Sequence, residues 1–123
     1  MLSEVRDKWV DNLRSGRFKK TMGNLCDVDP DLNPRGYCCL GVLLETLEES
    51  FPTLEDFSFC ASGSQKYFYQ EDFKSSIYIP AGFSGLDGNK ITELTHMNDG
   101  YKETRRHSFV EIADWIETNI PTE

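Results

Sequence analysis

"GYCCLGVLLETL", residues 36–47, sets two adjacent cysteines against an unbroken apolar run. Leu40, Leu43, Leu44 and Leu47 share one face of a 3.6-residue helix, and Phe51 continues the stripe. Glu45, Glu48 and Glu49 supply the polar side. The spacing predicts a helix over 38–50, ended at "SFPT". Apolar residues surround its first two turns, so that part is expected at the centre of the core.

The cysteine pair has four readings: a reactive site, a metal site, half of a disulfide framework, or core. Cys26, Cys38, Cys39 and Cys60 would suit disulfides in a secreted chain. The start, "MLSEVRDKWV", lacks the apolar centre of a signal peptide, so a cytosolic location and free thiols are expected. Zinc fits poorly, because no CxxC pair is present and the histidines number two, His96 and His107. A cysteine hydrolase would use Cys38 or Cys39 at a helix N-terminus, where the dipole lowers a thiol pKa. His96 or His107 would then be the base, oriented by Asn98 or Asp99. Against this, free cysteine packs as a small hydrophobe. The pair is read as core.

Working outward, residues 3–14 predict an amphipathic helix. Val5, Trp9 and Leu13 stand four apart, Leu2 and Val10 flank them, and Ser3 is placed to cap. Gly16 falls where a left-handed residue ends a helix. "CDVDPDLNPRG", 26–36, reads as a loop from its prolines and aspartates. Its Asp27, Asp29 and Asp31 alternate like a calcium loop, but Leu32 and Cys38 stand where glycine and glutamate belong. Residues 54–80 shift to period two and predict two or three antiparallel strands, and the Tyr and Phe side chains of the aromatic strands 57–79 either form a binding face or are covered by the helices. "IPAGFSGLDGN" reads as irregular or a short helical turn. A short helix over 90–98 places Ile91, Leu94 and Met97 or Asn98 inward, with Gly100 as terminator. In "SFVEIADWIETNIP", Ser108 and Glu111 form a capping box, and Phe109, Ile112, Ala113, Ile116 and Ile120 trace one stripe closed by Pro121. The fold class is α+β: a single compact domain over 1–123, with three to four helices packed with a small antiparallel sheet.

At 38% hydrophobic and 12% aromatic residues, the 123-residue chain can bury a core. It has no stretch of about 18 uncharged apolar residues, so no membrane span is expected. Residues 1–24 hold six basic and three acidic side chains, 25–73 two and ten, and 74–123 five and eight. The net charge of −8 argues against direct nucleic-acid binding. "RSGRFKK" gathers Arg14, Arg17, Lys19 and Lys20 around Phe18, a group able to hold phosphate or otherwise to form an exposed basic loop. "RRH", 105–107, is a second basic patch. Asn98 and Asp99 would line a polar site or shape a turn.

Three stretches occur together: "WVDNLRSGRFKKTMGNL" (9–25), "YCCLGVLLETL" (37–47) and "LTHMNDGYKETRRHSFVEIADWIE" (94–117). In this order they resemble a group of small accessory proteins of tailed bacteriophages and prophages. The resemblance rests on Tyr37 to Leu43, on Leu94 with Asn98 and Asp99, and on Ser108 to Ala113. Asn98 and Asp99 stand one residue further from the leucine than in that group. The resemblance covers most of the chain apart from 52–80, and it implies an accessory role in the cytoplasm of an infected bacterial host. It brings no catalytic mechanism.

The resulting expectation is a non-enzymatic binder that antagonises a host process such as host defence. It would mask a host protein through its acidic surface or an apolar patch. Alternatively, an oligomer would sequester a small nucleotide signal, with Arg14, Arg17, Lys19 and Lys20 on phosphate and Phe18 or Tyr37 stacking. Neither version calls for a metal or a cofactor. The enzymatic alternative is the hydrolase using Cys38 or Cys39.

Overall fold

The structure is a computed structural model and describes residues 3–22, 26–29, 31, 34–50, 59–62, 65–68, 86 and 88–122. Four helices dominate these residues: α1 (Ser3–Arg14), α2 (Cys39–Ser50), α3 (Gly88–Asp99) and α4 (Phe109–Asn119). Each forms for a local reason. In α1, Glu4 in the first turn and Arg14 in the last complement the helix dipole. Gly16 then takes the left-handed conformation, φ 76°. Ser3 is the first helical residue, so the capping position before it lies outside the described residues. At α4 both halves of the capping box are made: the Ser108 hydroxyl accepts from the Glu111 N–H, and the Glu111 carboxylate accepts from the Ser108 N–H. Gly100, φ 82°, ends α3, and its N–H donates to His96 O at 2.7 Å.

Packing runs round the four helices, α1 on α2, α2 on α3, α3 on α4 and α4 back on α1. Trp9, Leu13, Leu43, Leu47, Leu94, Ile112 and Ile116 are fully buried where they meet. The first turns of α2 are buried on every side, as the apolar run implied: Cys39, Leu40, Val42, Leu43 and Leu44 are all core. Two polar side chains between α1 and α2 satisfy each other. Asn12 Nδ2 donates to Thr46 Oγ1 at 2.8 Å, and that hydroxyl donates to Val42 O at 2.8 Å. Arg6 donates to Ile120 O at 3.1 Å, tying α1 to the end of α4.

The reading of 26–36 as a loop is corrected. Cys26–Val28 (β1) and Pro34–Tyr37 (β2) are paired backbone, with Cys26 opposite Tyr37 and Asp27 opposite Gly36. Pro34 is tolerated because it opens its strand, where a missing N–H costs least. Phe59–Ser62 (β3) and Gln65–Phe68 (β4) are further short strands, and the neighbours run β2-β1-β4-β3. The rest of the strand-like 54–80 stretch, Phe51, and the irregular segment before Leu86 lie outside the described residues. Residues 19–21 lie against β2 on its other side: Thr21 N–H donates to Tyr37 O and Tyr37 N–H to Lys19 O, both at 2.8 Å. The described residues form a mostly helical small domain, and no helix among them is long and apolar enough to cross a membrane.

The contact of 19–21 with β2 depends on Gly36. A Cβ there would collide with Thr21 Cγ2 and come within 3.1 Å of Lys19 O. Gly36→Ala should therefore cost about 1–3 kcal/mol by overpacking. Adding Thr21→Ser, which removes the colliding methyl, should recover part of the loss in urea unfolding.

Candidate functional site

The cysteines are built into the start of α2. Cys38 holds the capping position: its carbonyl accepts from Val42 N–H at 3.0 Å, and its Sγ accepts from Gly41 N–H at 3.4 Å. Cys39 is 1% exposed, and its thiol points at Leu94 O, 3.6 Å away. Both are free thiols. Burial pushes Cys38 up to about 11 and Cys39 well above the ordinary thiol range. Desolvation thus outweighs the helix N-terminus, which lowers a thiol pKa only where the thiolate keeps polar surroundings. The histidines are engaged elsewhere: His96 stacks on Tyr101 and His107 Nδ1 faces Arg105 O at 2.9 Å. A shift to about 11 leaves roughly a hundredfold less thiolate at neutral pH. Cys38 and Cys39 should accordingly react with a thiol reagent at least a hundredfold faster in denaturant than in the native protein, as mass-mapped labelling rates will show.

The basic segment divides. Arg14 turns to α4, where it pairs with Asp114 at 2.6 Å and also with Glu117. Arg17 pairs with Glu49 of α2 at 2.8 Å, and its guanidinium covers the Phe18 ring, 4.4 Å from the centroid. Phe18 meets Tyr37 edge to face at 5.1 Å, and both rings pack on the core. The two arginines expected to hold phosphate are therefore already neutralised by carboxylates. Arg17 covers one side of Phe18, and Tyr37 meets it edge to face, so the two rings do not stand as parallel walls around a base.

Exposed Lys19 and half-buried Lys20 are different. They lie on the segment bonded to β2, which carries exposed Arg35. Among the described residues Lys19, Lys20 and Arg35 make no ion pair. Sequence reasoning missed Arg35 because "NPRG" reads as a turn. The pairing that brings its strand beside Lys19 and Lys20, with Lys20 opposite Tyr37, comes from a segment 17 residues earlier in the chain.

Asn98 and Asp99 sit at the opposite end of that segment. Asn98 is 1% exposed and ties three pieces of chain together. Its Oδ1 accepts from Cys39 N–H at 3.1 Å, while Nδ2 donates to Thr21 O at 2.9 Å and to Asp99 Oδ1 at 2.8 Å. It is a buried junction and presents no open face to a ligand. Trp9 supports the same point, donating from Nε1 to Cys39 O at 2.9 Å. At the second basic patch, Arg105 is bound to Glu111, which together with the Ser108 N–H holds that carboxylate down to about 2. Among the described residues no cluster of three His, Cys, Asp or Glu side chains is placed to hold a metal.

The described residues thus form a mostly helical domain with Cys39 buried, Cys38 half-buried and a small cationic edge beside β2. The chain belongs to the family described as Domain of unknown function (DUF8296), whose model matches residues 1–77. No curated protein and no solved structure matches it.

Proposed function

We infer that this is a non-enzymatic accessory protein of phage origin that antagonises a process of its bacterial host by masking a host protein. The observation that carries this reading is the sorting of cations on the surface. Arg14 and Arg17 are spent on internal carboxylates, while Lys19, Lys20 and Arg35, carried by two adjoining extended segments, make a cationic edge with no ion pair among the described residues. On a chain of net charge −8, such a face orients the molecule towards an acidic partner. The edge-to-face Phe18–Tyr37 pair, with Arg17 over Phe18, favours a protein surface over a stacked nucleotide. Cys39 is buried and half-buried Cys38 caps α2 with its sulfur, and both speak against the cysteine hydrolase. The pairing of β1 to β4 supports an α+β domain with a small antiparallel sheet, and the sequence resemblance supports action in the cytoplasm of the infected cell.

The test is capture from lysate of a susceptible bacterium by the tagged chain, alongside Lys19→Glu/Lys20→Glu/Arg35→Glu. A host protein retained by the parent and lost from the triple variant, with melting temperatures within a few degrees, supports masking through this face. Equal retention by both would remove the face from the interaction. A thermal-shift screen with bacterial nucleotide signals completes the test. A bound nucleotide raises stability by about 2.7 kcal/mol at a hundred times its dissociation constant, and such a shift would replace masking by sequestration.

A further inference from the structure

The turn after α3 carries an exposed aromatic that is nonetheless held by several contacts. Tyr101 is 49% exposed. Its ring stacks on His96 with centroids 4.2 Å apart and planes 11° from parallel. Its backbone exchanges two hydrogen bonds with Thr104, at 3.0 and 2.8 Å. Lys102 lies between them at φ 51°, with its ammonium 5.1 Å from the Tyr101 ring centroid. The turn is fastened at both ends: Arg106 Nε donates to Asp99 O at 3.1 Å, and His107 N–H donates to Met97 O at 2.7 Å. A tyrosine held this way loses little entropy when it is covered, which makes it an effective interface anchor.

This turn is joined to the cationic face. Asn98 Nδ2 holds Thr21 O, so the end of α3 abuts the segment carrying Lys19 and Lys20. Arg106 is bonded to the very next residue, Asp99. Lys102, like those two lysines, makes no ion pair among the described residues. Among the described residues, cations without an ion pair therefore lie on both segments that meet at Asn98–Asp99, and the half-exposed Tyr101 stands beside one of them, Lys102.

We propose that the Tyr101 turn and the strand edge carrying Lys19, Lys20 and Arg35 form one docking surface for an acidic protein segment that wraps this edge, with Tyr101 as its anchor. This rests on the masking function inferred above and names the partner's chemistry. The probe is a fluorescein-labelled random copolymer of glutamate and tyrosine, whose anisotropy is followed as the full chain is added. The parent should bind it, more weakly as salt rises. Tyr101→Ala should weaken binding about tenfold or more. Tyr101→Phe, which keeps the ring on His96, should bind like the parent, and melting curves should show both variants folded. If Tyr101→Ala binds like the parent while the Lys19, Lys20 and Arg35 charge reversal abolishes binding, the anchor is wrong and the cationic face stands. If the parent ignores the copolymer, or neither variant matters, both readings fall. If duplex DNA competes more strongly than unlabelled copolymer, the partner class is overturned in favour of nucleic acid.

Discussion

Trp9→Ala should lower the free energy of unfolding by about 3–5 kcal/mol. Trp9 is fully buried in the core, where α1 packs against both α2 and α4. Alanine leaves a void that these helices can close only by shifting together. The indole also donates to Cys39 O, and Trp9→Phe separates the two effects. Phenylalanine keeps most of the volume and loses the donor, so it should cost nearer 1 kcal/mol beyond the small change in packing. Domains of this size are stable by about 5–15 kcal/mol, so the alanine variant approaches the limit of folding. Urea unfolding followed by far-UV circular dichroism measures both. A loss below about 1 kcal/mol for Trp9→Ala would mean that α1 is not an integral part of this core.

Asn98→Asp is the second large effect, and its dependence on pH makes it specific. Aspartate has the same shape and still accepts from Cys39 N–H. In place of the amide donor it turns an oxygen towards Thr21 O and Asp99 Oδ1. Burial, the facing carbonyl and the neighbouring carboxylate all disfavour the charged form, so the folded-state pKa of the new acid lies above its ordinary value of about 3.9. The penalty is complete above that raised pKa, about 3–5 kcal/mol at neutral pH. It shrinks as pH falls towards the unfolded-state value, where a protonated carboxyl can again donate to Thr21 O. The gap between parent and variant in urea unfolding should therefore narrow from pH 7 to pH 4. Asn98→Ala should lose about 2–3 kcal/mol by orphaning the Cys39 N–H and Thr21 O, with little pH dependence of its own. A gap for Asn98→Asp that is the same at both pH values would show that position 98 does not face those oxygens.

The helices were legible because their signals are local. Val5, Trp9 and Leu13 repeat at four residues, and Ser108 and Glu111 cap each other across three. The strands β1 and β2 were not, since prolines and aspartates dominate any short window over 26–36, while the pairing that makes them strands is settled by other segments. The candidate site divides along the same line. Phe18 and Tyr37 were named from their type, and the structure puts them in contact. What became of Arg14 and Arg17 was hidden, because their carboxylates stand 100 and 32 residues away. Asn98 read as a turn former beside Asp99, whereas its other partners, Cys39 and Thr21, are 59 and 77 residues distant. Local chemistry named the residue types, and distant pairing decided which of them were left open.

The meeting of α1 and α4 bears on how the chain is made. Arg6 and Ile120, joined by a hydrogen bond, are 114 positions apart. As the polypeptide leaves the ribosome, Val5, Trp9 and Leu13 emerge early and meet their α4 partners only after Ile112 and Ile116 have followed. Throughout that interval the apolar stripe of α1 lacks α4 and has α2 as its main partner among the described helices. Nascent chains halted before residue 109 should therefore be the ones that chaperones hold and proteases cut, and release should come abruptly once α4 is clear of the exit tunnel.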